Sequence, residues 1–176
     1  MKNKIISPQD DWMTPPTYLE KLGRRFRFDF DPCPYQHDIN KWNGLEREWG
    51  ESNFVNPGYS LPVKTDFVMW GIEQYKLKKQ VVFLLPVSTS TVLFKDHIEP
   101  IVKIEFERGR IPFIGINLKG QYVNFHQIME VTKEKILYAD PKKGIIEIPK
   151  FKKSLGQNDS MLCILKPKKI FKFFSF

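Results

Sequence analysis

The sequence predicts an α/β fold, and three observations carry that reading. Val81-Val82-Phe83-Leu84-Leu85-Pro86 is a continuous apolar run of strand length, the pattern of a sheet covered on both faces. Further apolar runs, at Phe54-Val55 and Val102 to Glu107, are separated from it by stretches with helical apolar spacing, an alternation that an α/β sheet produces, and Ser160 to Leu165 returns after a β-rich stretch as a last buried strand. The chain has 176 residues, 41% of them hydrophobic and 14% aromatic, enough to close one sizeable core, so a single domain over 1–176 is expected.

Taken in order, residues 1 to 11 are polar and read as a loose arm. Pro15 and Pro16 suit the opening of a helix over Thr17 to Leu22, with Thr14 as its cap and Gly23 as its end. Arg24 to Phe30 alternates polar and apolar residues, a strand pattern that runs into the turn Asp31-Pro32-Cys33-Pro34. Residues 35 to 50 are loop-like, with Trp42 and Trp49 on either side of Asn43-Gly44-Leu45. A strand ending at Val55 follows, then a helix over Thr65 to Leu77 carrying Phe67, Val68, Ile72 and Tyr75. After the apolar run at 81–86 come a helix over about Ser90 to Ile98, a strand at Val102 to Glu107 and the segment Gly109 to Gly115. Residues 116 to 156 read as a small β-rich insertion, with strands at Lys135 to Ala139 and Gly144 to Ile148 joined by Asp140-Pro141-Lys142-Lys143. Ser160 to Leu165 returns to the main sheet, and 166–176 form a basic, aromatic tail.

The segment Asn56-Pro57-Gly58-Tyr59 ends a buried strand with an unusual set of groups. Asn56 offers a side-chain carbonyl, Pro57 a backbone carbonyl without an N–H, and Tyr59 a flat ring. Such a set suits a planar exocyclic amine. Two acceptors on its two N–H groups localise the nitrogen lone pair for attack while the ring stacks on the base. The same four residues also suit a type II turn, which prefers Pro at its second position and Gly at its third.

The net charge of +8 and pI near 9.4 point to a polyanionic partner. Between Lys150 and Phe176 stand seven lysines and one aspartate, so Lys150, Lys152 and Lys153 are candidates to track phosphates. The sequence has no apolar run of about 18 residues, and Met1 to Ile6 lacks the apolar core of a secretory signal; no membrane association and a cytoplasmic location, the host cytoplasm for a viral protein, are expected. Cys33 and Cys163 have no metal-ligand spacing and read as buried thiols, and no metal site is expected. His37, His97 and His126 are scattered and read as structural or surface residues.

Trp12-x-Thr14-Pro15, Phe28-Asp29-Phe30-Asp31-Pro32, Asn43-Gly44-Leu45, Trp49, Asn56-Pro57-x-Tyr59-Ser60, Leu84-Leu85-Pro86 and Gly109-Arg110-Ile111-x-Phe113 form an ordered set. It resembles the phage-type DNA adenine-N6 methyltransferases over about residues 11 to 115, plus the strand at 160–165. The resemblance implies an abbreviated Rossmann-like methyltransferase sheet, S-adenosylmethionine as cofactor and adenine in DNA as substrate. It implies that Asn56 and the Pro57 carbonyl hold the amine, that Tyr59 stacks on a flipped-out base, and that Trp12, Thr14, Pro15, Asp31 and Pro32 serve the cofactor. It also suggests a phage or mobile-element origin.

Two positions depart from the pattern. Gly58 stands where a second proline is usual, which loosens the loop, and the turn after Asp31 contains no glycine to let a cofactor approach the backbone. Only 24 residues separate Asp31 from Asn56, so the cofactor half must be short. Two other readings stay open at this point. One is a methyltransferase for another conjugated amine, and the other a degenerate methyltransferase fold acting as a DNA-binding or partner subunit. Asp29, two residues before Asp31 and on the same face of an extended segment, reads either as a second cofactor-positioning acid or as a solvated charge.

Overall fold

The computed structural model describes residues 13–34, 42–111, 113, 128–131, 135–140, 144–149 and 159–167. The expected arm over 1–11, His37, His126, the turn residues Pro141 to Lys143 and most of the tail lie outside the described residues.

Helix α1 spans Pro16–Phe26, and Pro15 occupies its N-cap position without a side-chain cap. Thr14 is therefore not the cap that the sequence suggests. Nor does Gly23 end the helix. It costs about 1 kcal/mol relative to alanine in a helix interior, while the added turn buries Phe26 beside Leu22, each contributing roughly 2 kcal/mol. The end comes at Arg27, in the left-handed conformation with φ 55°, whose N–H donates to the Gly23 carbonyl at 2.7 Å. Because α1 takes residues 24–26, the strand expected over 24–30 shrinks to a single parallel bridge between Phe30 and Asn53.

Strand β1 covers Ser52–Val55 and runs parallel to β2, Gln80–Pro86, with Ser52 opposite Gln80. Between them lies helix α2, Leu61–Lys76, which opens four residues earlier than the apolar spacing indicates because Pro62 sits at a first-turn position that needs no N–H donor. Beyond β2, the chain makes a short, widened π-helical segment at Leu93–Ile98, where the sequence suggests an ordinary helix, and then strand β3, Lys103–Phe106. Strands β4 (Ile128–Val131), β5 (Lys135–Asp140) and β6 (Gly144–Pro149) form a separate antiparallel three-stranded sheet. The first of these strands has no counterpart in the sequence reading. Strand β7, Ser160–Leu165, then enters the main sheet antiparallel to both neighbours, giving the order β1-β2-β7-β3.

This four-stranded mixed sheet is covered on both faces, as the apolar run of β2 requires. Val81, Phe83 and Leu85 face Phe67, Val68 and Ile72 of α2 together with Leu93, Phe94 and Ile98. Val82 and Leu84 point the other way, onto Leu22 and Phe26 of α1 and onto Ile111 and Phe113. The alternation is the two-residue period of a pleated strand whose two sides are both buried. Cys163, on β7, is a free buried thiol, and burial pushes it up to about 12.

The C-terminal ends of β1 and β2 lie at the same edge of the sheet. The parallel bridge at Phe30 brings the following residues, Asp31 to Cys33, to that edge as well. In open α/β sheets this is the edge at which ligands bind.

Candidate active site

Asn56 is the first residue beyond β1, and its carboxamide is held from two sides. Its Nδ2 donates to the Thr14 hydroxyl at 3.0 Å, and its Oδ1 accepts from the Tyr59 hydroxyl at 3.2 Å. Thr14 is buried between buried Met13 and Pro15, while Asn56 is half-buried and keeps a face toward solvent. Pro57 is buried, so the loop turns away from the strand on a residue whose φ is fixed. Tyr59 meets the edge of the Phe113 ring at a centroid distance of 6.2 Å, and enclosure of its phenol holds that group above its ordinary range. Among the described residues the glycine with a positive φ is Gly109. Gly58 thus lacks the conformation that a type II turn demands at its third position, and the turn reading of this loop is overturned.

Asp31 lies on the other side of the same group. Its Oδ1 accepts from the Cys33 N–H at 2.9 Å, and the Cys33 thiol is a second partner. Although Asp31 keeps some exposed surface, its carboxyl is surrounded by protein, and desolvation outweighs both hydrogen bonds, raising it to about 6. The Cys33 sulfur in turn accepts from the Asn56 backbone N–H, and burial beside Asp31 pushes the thiol well up. Cys33 therefore links the acid to the Asn56 loop through one sulfur atom. Pro32 is buried, and its carbonyl lies so close to Gly44 that an added Cβ there would stand 1.8 Å from the oxygen.

That contact requires a glycine at position 44, because any side chain there would collide with Pro32. Gly44, from a 3₁₀ turn at Gly44–Glu46, brings its backbone against the turn from the outside. Asn43 Oδ1 accepts from the Leu45 N–H at 3.1 Å to shape that turn, and the buried Trp49 ring donates its Nε1–H to the Gly44 carbonyl at 2.7 Å. Asp29 does something else. Its carboxylate accepts from the backbone N–H groups of Glu51 and Ser52, at 3.2 and 3.0 Å, and so caps the start of β1, a role that neither sequence reading foresaw.

The fold thus gathers Thr14, Asp31, Pro32, Asn56, Pro57 and Tyr59 at one sheet edge, with Pro15 at the mouth of α1 beside Thr14. Trp12, Lys150, Lys152 and Lys153 lie outside the described residues. Cys33 and Gly44 were missed in the sequence as site residues. Gly44 had a signal, since it sits between two tryptophans in a motif without evident apolar or polar purpose; Cys33 had none, because a lone cysteine reads as core.

A family model described as DNA N-6-adenine-methyltransferase (Dam) matches residues 2–137, the span that contains every residue of this cluster. The chain belongs to the DNA N-6-adenine-methyltransferase (Dam) family. Methylation of adenine in DNA is the general activity of the Dam family, and DNA its substrate. No curated protein matches the chain, and no solved structure does. Among the described residues no helix is long and apolar enough to cross a membrane, and no group of three or more His, Cys, Asp or Glu side chains is arranged to hold a metal ion.

Proposed function

We propose that this Dam-family chain transfers a methyl group from S-adenosylmethionine to the N6 amine of adenine in DNA, at the sheet edge that carries Asn56. The observation that supports the reading is the family match together with the placement of Asn56 and Asp31 at one sheet edge, joined through Cys33. The donor set fits the cofactor. Among the described residues the hydrogen-bond partners of Asp31 both come from Cys33, and a carboxyl desolvated to that degree suits a ligand bearing positive charge. S-adenosylmethionine supplies, when bound, an electrophilic methyl on a sulfonium. Asp31 and Pro32, with Trp12 and Pro15, would hold it, Thr14 of the same expected set having its hydroxyl engaged by Asn56 instead, and Gly44 would keep the Asp31 turn in shape.

On the substrate side, one lone pair of Asn56 Oδ1 is engaged by Tyr59 and the second is available for an amine N–H. The Pro57 carbonyl would take the other N–H. With both protons held, the nitrogen lone pair faces away from the two acceptors, toward the incoming carbon, and the ring of Tyr59 lies within one turn of chain to stack on the base. An adenine inside a duplex is out of reach, so the base is flipped out, at about a few kcal/mol. Lys150, Lys152 and Lys153 would contact phosphates, and replacing all three by neutral residues should lower the slope of log affinity against log salt by about 3. The resemblance to phage-type members favours a phage or mobile-element source.

The deciding experiment is incubation with labelled S-adenosylmethionine and unmethylated DNA, followed by nucleoside analysis. Label in N6-methyldeoxyadenosine is the expected result. Label in N4-methyldeoxycytidine would move the activity to another conjugated amine, and no label with intact DNA binding would make the chain a binder without turnover.

A further inference from the structure

We propose that Thr14 is a positioning residue for Asn56, setting which end of its carboxamide is offered to the substrate amine. The inference rests on the methyl-transfer reading for its kinetic consequence, although the hydrogen bond itself does not.

A carboxamide presents an acceptor at one end and two donors at the other, and only the acceptor end can hold an amine N–H. Turning the group by half a revolution would aim an NH₂ at the substrate NH₂. The two hydroxyls that grip Asn56 differ in character. A phenol oxygen shares a lone pair with its ring, so Tyr59 is the better donor, and an aliphatic hydroxyl is the better acceptor. The observed pairing follows that preference: the Tyr59 O–H donates to Oδ1 and the Thr14 hydroxyl accepts from Nδ2. Thr14 can hold the Nδ2 end in this pairing because its own place is fixed, while the stronger donor on the opposite side, Tyr59, leaves it the accepting role. It is buried, it lies between buried Met13 and Pro15, and the Pro15 carbonyl is tied into α1 by the N–H groups of Tyr18 and Leu19, each at 3.0 Å. Freed from capping the helix, the hydroxyl serves a residue 42 positions away.

The test compares Thr14→Val, which keeps the shape and removes the hydroxyl, with Thr14→Ser, which keeps the hydroxyl. Turnover at saturating donor should fall about tenfold in the valine variant, as expected for loss of one neutral hydrogen bond to an acting group, and recover to within about twofold in the serine variant. Equilibrium binding of S-adenosylmethionine, measured by calorimetry, should change less than twofold in both. A second readout does not need turnover. Exchange of the Asn56 side-chain amide protons with water, followed by NMR, should speed up in the valine variant and not in the serine variant. Thr14→Ala provides the same comparison if the valine variant does not fold. The proposal is overturned if amide exchange is unchanged by loss of the hydroxyl, or if donor affinity falls in proportion to rate, which would make Thr14 a cofactor contact. A wild-type chain that does not methylate DNA would remove the functional reading alone, and the exchange measurement would still decide the role of Thr14.

Discussion

Replacing Asn56 by alanine separates what this residue does for the fold from what it does for chemistry. In the folded protein its carboxamide makes two neutral hydrogen bonds, to Thr14 and Tyr59, and it is only half-buried. Each such bond contributes about 1 kcal/mol, and water replaces part of the loss at a half-open position, so unfolding stability should drop by about 1 to 2 kcal/mol. For a domain of this size that lowers Tm by roughly 2 to 8 °C, which leaves the protein folded at assay temperature. The chemical loss is larger. One of two acceptors on the reacting amine disappears, and an unpaired N–H in the closed site costs about 1 to 3 kcal/mol, a rate reduction of roughly 5- to 150-fold. Asn56→Asp is the control: it keeps an acceptor toward the amine, and the Thr14 hydroxyl can turn round and donate. The assay is transfer of labelled methyl to unmethylated DNA at saturating donor, alongside thermal unfolding of each variant. If the alanine variant methylates within about threefold of wild type, Asn56 does not hold the amine.

Three further outcomes follow from the same geometry. Gly58→Pro should be tolerated and raise stability by about 0.4 to 1 kcal/mol, since Gly58 does not use a positive φ; thermal unfolding checks this, and a loss above about 1 kcal/mol would show that the loop needs glycine. Gly44→Ala should destabilise the protein by about 2 kcal/mol or more and weaken S-adenosylmethionine binding, because its Cβ would stand 1.8 Å from the backbone oxygen of Pro32; calorimetry and unfolding measure both, and a neutral result would refute the close approach. Asp31, raised to about 6 from 3.8, stays protonated in the folded state after it has ionised in the unfolded one, so its effect is a loss of stability as pH rises from about 4 to 6, approaching 3 kcal/mol; Asp31→Asn should flatten that slope in unfolding measured against pH, and an unchanged slope would refute the assignment.

Those parts of the fold governed by apolar pattern were legible in the sequence. Val81 to Pro86 and Ser160 to Leu165 are apolar runs of strand length, the pattern of a doubly covered strand, and they pair with each other in the main sheet. Helix boundaries were less so: Gly23 and Thr14 carry local signals for a stop and a cap, and burial of Phe26 overrode the first while Asn56 claimed the second. The members of the site were named from motifs, yet their connections were not readable, since a bond between Thr14 and Asn56 or a sulfur shared by Asp31 and Asn56 depends on how separated segments meet at a sheet edge. Asp29 shows the same limit, its carboxylate spent on backbone N–H groups of a strand more than 20 positions on.

The place of β7 in the sheet bears on how the chain reaches this structure. β7 lies between β2 and β3, with Val81 opposite Leu165 and Lys103 opposite Ile164. On the ribosome, β2 and β3 therefore exist for many residues without the strand that separates them, each with a row of unpaired backbone N–H and C=O groups open to wrong partners, including each other. At about 5 to 20 residues per second that interval lasts several seconds. Closing the sheet requires the late strand to slot into a gap that its neighbours have kept open, a long-range event that slows folding and makes the unfinished chain prone to aggregate.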